Sequence, residues 1–296
     1  MNNKEIQAIT DRSNTANVFR SIRRLPIWAF AILAVIVICA IFADVIAPHD
    51  PVKSSIRDRS TPPAWEAEGS SKFLLGSDLY GRDVLSRIIH GSRISLLVAG
   101  AVLIPGTIIG TFLGLLAGYY GGVVDEMIMR LVDFTLALPF ILVALVVVSV
   151  MGQSTEVIIF LLILLSWNSF ARQVRGETLR LKTMDYVSLA KVAGASDLRI
   201  MFKHILPGVM STILVLASLR VGQLILTESI LSFLGAGIPP PTPAWGLMIA
   251  EGRDYLGSAW WIAFFPGMAI FAAVLVFNFI GDWLRDWLDP MLRQID

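Results

Sequence analysis

The side chains with the most chemical capability lie in an otherwise apolar block, Gly208–Leu234. They are Arg220, Gln223, Thr227 and Glu228. On a helix the first three share one face, because they are three and four residues apart, and Glu228 lies on the adjoining face. A charged group at the centre of a membrane costs about 2.5–3.5 kcal/mol on insertion scales, so it must face protein or water. Arg220 therefore either forms an ion pair with a neighbouring helix or subunit, or contacts a substrate.

Direct pairing of Arg220 with Glu228 is not expected. Their eight-residue separation corresponds to about 12 Å along a helix that rises 1.5 Å per residue.

Signatures of catalysis are missing from the sequence. There is no G-x-x-x-x-G-K-[ST] phosphate loop, so we expect the chain not to hydrolyse ATP itself. G-x-S-x-G and H-E-x-x-H motifs are also missing. The three histidines, His49, His90 and His204, are far apart, and the single Cys39 cannot form an internal disulfide. We therefore expect neither an enzyme nor a metal site.

The composition predicts a membrane protein. Of the 296 residues, 55% are hydrophobic and 16% are charged, and the mean hydropathy is +0.71. Soluble domains carry about 25% charged residues. Because the apolar residues form long blocks, we expect an all-α, polytopic membrane protein. The net charge of +1 argues against nucleic acid as a partner.

Six apolar blocks predict six transmembrane helices, with a kink at Pro139 in the third. They are Pro26–Ala47, Ser95–Ala117, Phe134–Met151, Val157–Phe170, Gly208–Leu234 and Ala259–Ile280. Around them we expect an amino-terminal segment (1–25), an extracytoplasmic loop with an amphipathic stretch (48–94), a transmembrane core (95–283) and a tail (284–296). A basic segment followed by an apolar run also fits a cleaved signal peptide. The first apolar run is long for one, so we expect an uncleaved span (26–47).

The distribution of Lys and Arg predicts the orientation. With six spans, 15 of the 24 basic residues share a side with both termini, the short connector Tyr119–Met129 with Arg130, and the loop between spans four and five. Eight lie on the other side, and Arg220 lies within the fifth span. The positive-inside rule then places both termini in the cytoplasm. Asp125 and Glu126 in the connector are expected to be solvated.

A series of glycines at four-residue spacing runs along the second predicted span and just past its end. It comprises Gly106, Gly110, Gly114, Gly118 and Gly122. This spacing puts them on one helix face, where the absence of Cβ atoms lets a neighbouring helix approach closely. We favour an internal helix contact over a subunit interface.

A charged, amphipathic stretch separates two apolar blocks, Asp185–Pro207. Its first half has an apolar helix face formed by Tyr186, Leu189, Ala190 and Ala193. Gly194 is placed to end that helix as its C′ residue. Ser196 is expected to cap a second, short helix through its hydroxyl, and Pro207 suits the first turn of a third. A second apolar stripe comprises Leu198, Met201, Phe202 and Ile205. On pattern alone, the stretch could equally lie on lipid headgroups.

This stretch resembles the loop shared by permease subunits of binding-protein-dependent ABC importers. The family pattern reads Glu-Ala-Ala, three residues, Gly, nine residues, Ile-x-Leu-Pro. Ala190, Gly194, Leu206 and Pro207 match without a gap. Ser188, Leu189 and His204 stand where the family has Glu, Ala and Ile. The resemblance implies a coupling helix within 172–207 that docks into a groove of the ATP-hydrolysing subunit. The implied contact residues are Tyr186, Leu189, Ala190, Gly194, Ala195, Ser196, Asp197, Leu198, Phe202 and Pro207.

A second resemblance lies upstream, in LGSDLYGRDVLSRIIHGSRISL at Leu75–Leu96. It is similar to the C-type permease of dipeptide, oligopeptide and nickel importers. The matching residues are Gly76, Asp78, Gly81, Arg82, Asp83, Ser86, Arg87, Gly91, Arg93 and Ser95. A charged amphipathic helix at the membrane surface would account for the same residues, and the two interpretations are compatible.

Together the resemblances imply a permease subunit of an ATP-driven importer in a prokaryotic inner membrane. Its substrates would be di- or oligopeptides, or alternatively nickel chelates or another small solute. The implied partners are a second related permease, two ATP-binding subunits that carry ATP and Mg²⁺, and an extracytoplasmic binding protein. No cofactor is implied on this chain.

Two other classes remain possible from the residues. An ion-coupled secondary transporter would have Arg220 and Glu228 as its only deep ionisable groups, and no inverted repeat is evident. A membrane scaffold or receptor would not need a glycine elbow at this spacing.

Overall fold

The computed structural model describes residues 26–288 and shows an all-helical protein. Within that range no strand forms, and a single isolated bridge joins Ser77 to Asp83. The helices are α1 (Ile27–Ile41), α2 (Ala43–Ile46), α3 (Val84–Tyr120), α4 (Gly122–Ala137), α5 (Phe140–Met151), α6 (Thr155–Leu181), α7 (Asp185–Val192), α8 (Asp197–Phe233), α9 (Trp245–Gly252) and α10 (Trp261–Leu288). Residues 1–25 and 289–296, with most of the predicted tail, lie outside the described residues.

Four of these helices are long and apolar enough to cross a membrane, namely α3, α6, α8 and α10. The pair α4 and α5 counts as a fifth if it is one span bent by 80°. The expected first span is represented by α1, which has 15 residues, whereas a membrane crossing takes about 20. The prediction of six transmembrane helices is therefore not confirmed.

The bend between α4 and α5 occurs where Pro139 was expected to kink a span. Proline has no N–H to donate, and its ring disfavours helical geometry in the residue before it. Leu138 is accordingly extended, with a ψ of 129°. The predicted kink is a full break.

Several helices extend beyond the predicted spans. α3 starts at Val84, so the amphipathic stretch 84–94 belongs to the same helix as the second span. α6 extends to Leu181, so the first ten residues of the predicted loop 172–207 are helical. Hydropathy marks only the apolar part of a helix, whereas its backbone hydrogen bonds continue through polar residues to the next cap.

The expected connector Tyr119–Met129 is mostly helical. Only Gly121 separates α3 from α4, with a φ of +69° that favours glycine. Asp125, expected to be solvated, pairs with Arg175 of α6, whose Nη2 lies 2.6 Å from its Oδ2. This ion pair holds α4 against α6.

The glycine series packs α3 against α6, the most extensive helix contact in the described residues. A Cβ added to Gly110 would lie 2.3 Å from the carbonyl oxygen of Trp167, and one added to Gly114 would lie 2.6 Å from that of Ala171. The predicted internal helix contact is confirmed, since only hydrogen atoms fit between the two backbones. Gly122 does not continue the series, because α3 has already ended and a Cβ there would meet nothing within 4 Å.

Arg93 of α3 binds the carboxyl end of the short α1. Arg93 donates from Nε to the carbonyl oxygen of Ala40 at 2.8 Å and from Nη2 to the Asp44 carboxylate at 3.0 Å. Carbonyls at a helix carboxyl end lack partners within the helix, and Arg93 supplies one.

Candidate functional site

The stretch predicted to form an elbow does so at Gly194. Its φ is +80°, a conformation that side chains with a Cβ rarely adopt. The Gly194 N–H donates to the Lys191 carbonyl at 3.0 Å, and the Ala195 N–H donates to the Ala190 carbonyl at 3.1 Å. This pair of bonds is the Schellman arrangement that ends a helix at glycine. We call residues 185–205 the elbow.

Beyond Gly194 the elbow differs from the prediction. Ser196 occupies the cap position, but its carbonyl accepts from Ile200 and its hydroxyl makes no capping bond, so the predicted hydroxyl cap is wrong. The expected separate short helix is also wrong, because α8 runs unbroken from Asp197 through a π-helical turn. Pro207 is in the first turn of the α-helical part, as predicted. The elbow therefore continues directly into a candidate span.

One side of the elbow is anchored in the protein. Val187, Ile200, Met201 and Ile205 are all at most 4% exposed. Three of them belong to a cluster with buried residues of α3, α6 and α8. A polar contact adds to this anchor, from the Tyr119 hydroxyl to Asp197 Oδ1 at 2.6 Å, and it ties the elbow to the end of α3. Just before the elbow, Lys182 Nζ donates to the Gly118 carbonyl at 2.7 Å.

The other side of the elbow is apolar and exposed. Val192 is 88% exposed and Leu189 is 68% exposed. Tyr186, Leu198 and Phe202 are exposed as well. The predicted second stripe thus divides, with Met201 and Ile205 facing inward and the other two members facing outward. Val192 was missed as an outward residue, because the sequence pattern alone does not show which stripe faces the core.

The predicted polar residues of α8 separate into two environments. Arg220 is half-buried and donates from Nη1 to Gln223 Oε1 at 2.6 Å. Its Nη2 donates to the hydroxyl of Ser169 on α6. The Thr227 hydroxyl donates to the Gln223 backbone carbonyl at 2.7 Å. We call Ser169, Arg220, Gln223 and Thr227 the polar face.

Glu228 lies apart from this face. It is 1% exposed and accepts a hydrogen bond from the Ser232 hydroxyl at 2.6 Å. As the spacing predicted, it does not pair with Arg220. Ser169 was not singled out by sequence reasoning, although it belongs to the polar end of the predicted fourth span.

The upstream motif forms a buried ionic cluster with a distant residue. Arg82 donates from Nε to Asp78 Oδ2 at 2.5 Å and from Nη2 to Glu251 Oε2 at 2.8 Å. Arg87, 0% exposed, donates from Nη2 to the same Glu251 oxygen at 3.3 Å. The two guanidiniums and two carboxylates balance in charge. We call these four residues the loop cluster; it joins the start of α3 to α9.

The remaining motif residues shape the turn that supports the loop cluster. Gly76 and Gly81 have φ values of +81° and +72°, and a Cβ on Gly81 would lie 1.9 Å from the Ser55 carbonyl oxygen. Asp83 caps α3 by accepting from the Ser86 N–H at 3.0 Å. Residues 76–83 lead directly into α3, so the helical part of the motif is the start of a candidate span. Glu251 could not be found from the sequence, since it is 164 residues from Arg87 and belongs to no motif.

Apolar helices of spanning length, with one protruding elbow, define a multi-pass membrane protein. Residues 110–294 match the family model described as binding-protein-dependent transport system inner membrane component. Residues 22–63 match the N-terminal TM domain of oligopeptide transport permease C. The chain belongs to the family of binding-protein-dependent transport system inner membrane components, which confirms the family predicted from the two motifs.

Curated relatives resemble the chain over most of its length. The di/tripeptide transport system permease protein DppC of Pseudomonas aeruginosa (strain UCBPP-PA14) is 42% identical over 262 residues, 88% of this chain and 86% of that protein. The glutathione transport system permease protein GsiD of Pectobacterium atrosepticum is 45% identical over 256 residues, 86% of this chain and 83% of that protein. The dipeptide transport system permease protein DppC of Escherichia coli (strain K12) is 45% identical over 262 residues, covering 88% and 87%.

The fold is similar to that of a solved ABC transporter. An inward-facing structure of the MetNI methionine ABC transporter aligns with a TM-score of 0.57, covering 72% of this chain and 97% of that chain. The sequence identity is 18%, so this likeness concerns the fold alone.

Proposed function

We propose that this chain is the permease subunit of an ATP-driven importer that moves di- or oligopeptides across the cytoplasmic (inner) membrane. The relatives described above are named for di/tripeptide, dipeptide and glutathione transport, and all of these cargoes are peptides. The chain supplies the pathway, and separate subunits hydrolyse ATP.

The observation that carries this proposal is the two-sided elbow. Its inner side is packed against three helices, while Leu189 and Val192 project outward with most of their surface exposed. Burying a large apolar side chain stabilises a contact by about 1.5–3 kcal/mol, so a few such residues suffice to hold a partner. The partner in this proposal is the ATP-binding subunit.

The continuity of α8 explains how force would be transmitted. ATP binding closes two ATP-binding subunits, and their motion moves the elbow as a rigid body. Because α8 is helical from Asp197 to Phe233, this motion reaches Arg220 about 35 Å away at 1.5 Å per residue. The contacts of the elbow with the end of α3 carry the same motion to the α3–α6 pair.

The complete importer contains further subunits. A second, related permease completes the pathway, two ATP-binding subunits bind ATP and Mg²⁺, and an extracytoplasmic binding protein delivers the peptide. Both termini lie in the cytoplasm, α1 acts as the first of six spans, and the bent pair α4–α5 acts as the third. This chain carries no cofactor and no ATPase site.

Uptake by a reconstituted complex tests the proposal. With the permease pair, the ATP-binding subunits and the binding protein in proteoliposomes, we expect a labelled dipeptide to accumulate only when ATP is present on the ATPase side. Omitting the ATP-binding subunits should abolish uptake.

Two controls separate the alternatives. A nickel chelate serves as a second cargo, and preferential uptake of the chelate would reject the peptide assignment. Peptide uptake driven by an ion gradient without the ATP-binding subunits would reject the importer class.

A further inference from the structure

We propose that Arg220 is a binding site for the carboxylate of the transported peptide, with Ser169 and Gln223 as its positioning residues. This inference rests on the proposed function and adds a specific contact within the pathway.

Among the described residues, Arg220 is the only arginine that is at least half-buried and has no carboxylate within 4.0 Å. Carboxylates lie within 4.0 Å of Arg82, Arg87, Arg93, Arg130, Arg172, Arg175 and Arg180. Among the described residues, Arg220 contacts only the neutral oxygens of Gln223 and Ser169. Its other N–H groups have no acceptor in the described part of the chain. A guanidinium stays charged in proteins, so the positive charge of Arg220 is not balanced by an anion among the described residues.

The guanidinium is held in a fixed position. Gln223 accepts from Nη1 and Ser169 accepts from Nη2, and these two residues lie on different helices, α8 and α6. A guanidinium fixed in this way is prepared for a planar carboxylate, which it binds through two parallel hydrogen bonds. Phe170 and Leu216 border the same shallow depression.

The surroundings indicate a pathway. Gln223 is exposed and Thr227 half-buried, so the polar surface continues along α8 past Arg220. Contact with lipid is unfavourable for Arg220, because exposing a charge to hydrocarbon is costly. Contacts between membrane helices favour small residues that let backbones approach, whereas long polar side chains at successive turns suit a hydrated passage. Every peptide with a free C-terminus brings the carboxylate that this site lacks.

Equilibrium binding tests the contact directly. The complete membrane complex is placed in nanodiscs without the binding protein, and binding of radiolabelled Gly-Leu is compared with that of its C-terminal amide. Because a charge-assisted hydrogen bond contributes about 1.5–3 kcal/mol, wild type should bind the free acid about tenfold or more tightly than the amide. Arg220→Gln should bring this ratio to about one, and Arg220→Lys, which keeps the charge but not the planar fork, should give an intermediate value.

Matched variants distinguish positioning from general damage. Ser169→Ala removes a hydroxyl that holds Arg220 and should lower the acid-to-amide ratio. Ser218→Ala removes a hydroxyl of α8 that bonds only to the backbone carbonyl of Val215 and should leave the ratio unchanged.

Three results would overturn the inference. They are a wild-type complex that does not prefer the free acid or shows no binding, an unchanged ratio in Arg220→Gln, and a loss of complex yield in Arg220→Gln. The last would show that Arg220 serves folding or assembly rather than peptide binding. ATP-driven uptake by the wild-type complex is measured separately, so failure of the importer proposal is distinguishable from failure of this site.

Discussion

Replacing Gly194 by valine is expected to uncouple the transporter, with ATP-driven uptake reduced by about tenfold or more while the protein still inserts and assembles. The left-handed conformation costs a residue with a Cβ about 1–2 kcal/mol, and a β-branched residue is a strong outlier there. A Cβ at this position meets no atom within 4 Å, so the strain comes from the backbone alone. The chain would relieve it by opening the two bonds that end α7 and by redirecting the exposed side of the elbow. Uptake and ATP hydrolysis by the purified complex are measured together.

Two further variants test whether the loss of uptake comes from the backbone conformation at Gly194. Gly194→Asn should retain most of the uptake, because asparagine tolerates the left-handed conformation. Gly176→Val places the same side chain on α6, where a Cβ also meets nothing within 4 Å and φ is not positive; it should transport normally. Wild-type uptake by Gly194→Val would contradict the role given to the elbow.

Replacing Arg87 by leucine is expected to destabilise the protein by about 3–5 kcal/mol, because removing one partner leaves a buried charge without compensation. Arg87 is 0% exposed and its charge balances Asp78 and Glu251 together with Arg82. The start of α3 would then lose the Arg87–Glu251 contact with α9. Thermal unfolding in detergent and the yield of assembled complex measure the loss.

An exposed arginine on α4 provides the matched control. Arg130 pairs with Glu126, and the two side chains are 77% and 61% exposed. Arg130→Leu should therefore cost less than about 1 kcal/mol. Adding Glu251→Gln to Arg87→Leu restores the charge balance and should recover part of the loss. If Arg87→Leu and Arg130→Leu unfold at the same temperature, the loop cluster does not stabilise the fold.

Several features could be predicted from the sequence because they depend on local chemistry. Gly194 ends a helix because of its own backbone conformation, so its position in the sequence and its spacing within the motif were sufficient to predict the elbow. The glycine series from Gly106 predicted a close helix contact. Glycines four residues apart leave one helix face without Cβ atoms, and any partner helix can then approach that face closely.

Other features depend on tertiary contacts and could not be predicted. Glu251 completes the loop cluster from a distant helix, and Ser169 reaches Arg220 from α6. Helix ends were misplaced by up to twelve residues, as at Gly122 compared with Phe134, because polar residues continue a helix that hydropathy does not detect. The break at Pro139 could be located from sequence, but its 80° angle could not.

The contact made by the exposed side of the elbow tests the central claim most directly. A photo-crosslinking amino acid is placed at Leu189, which is 68% exposed, and in a control at Val150, which is 81% exposed at the end of α5. After irradiation of the complete complex in membranes, the account predicts that Leu189 forms a crosslink to the ATP-binding subunit, with a yield that changes when ATP is added, and that Val150 does not. Crosslinks from Leu189 to lipid alone, with no ATP-binding subunit attached, would contradict it.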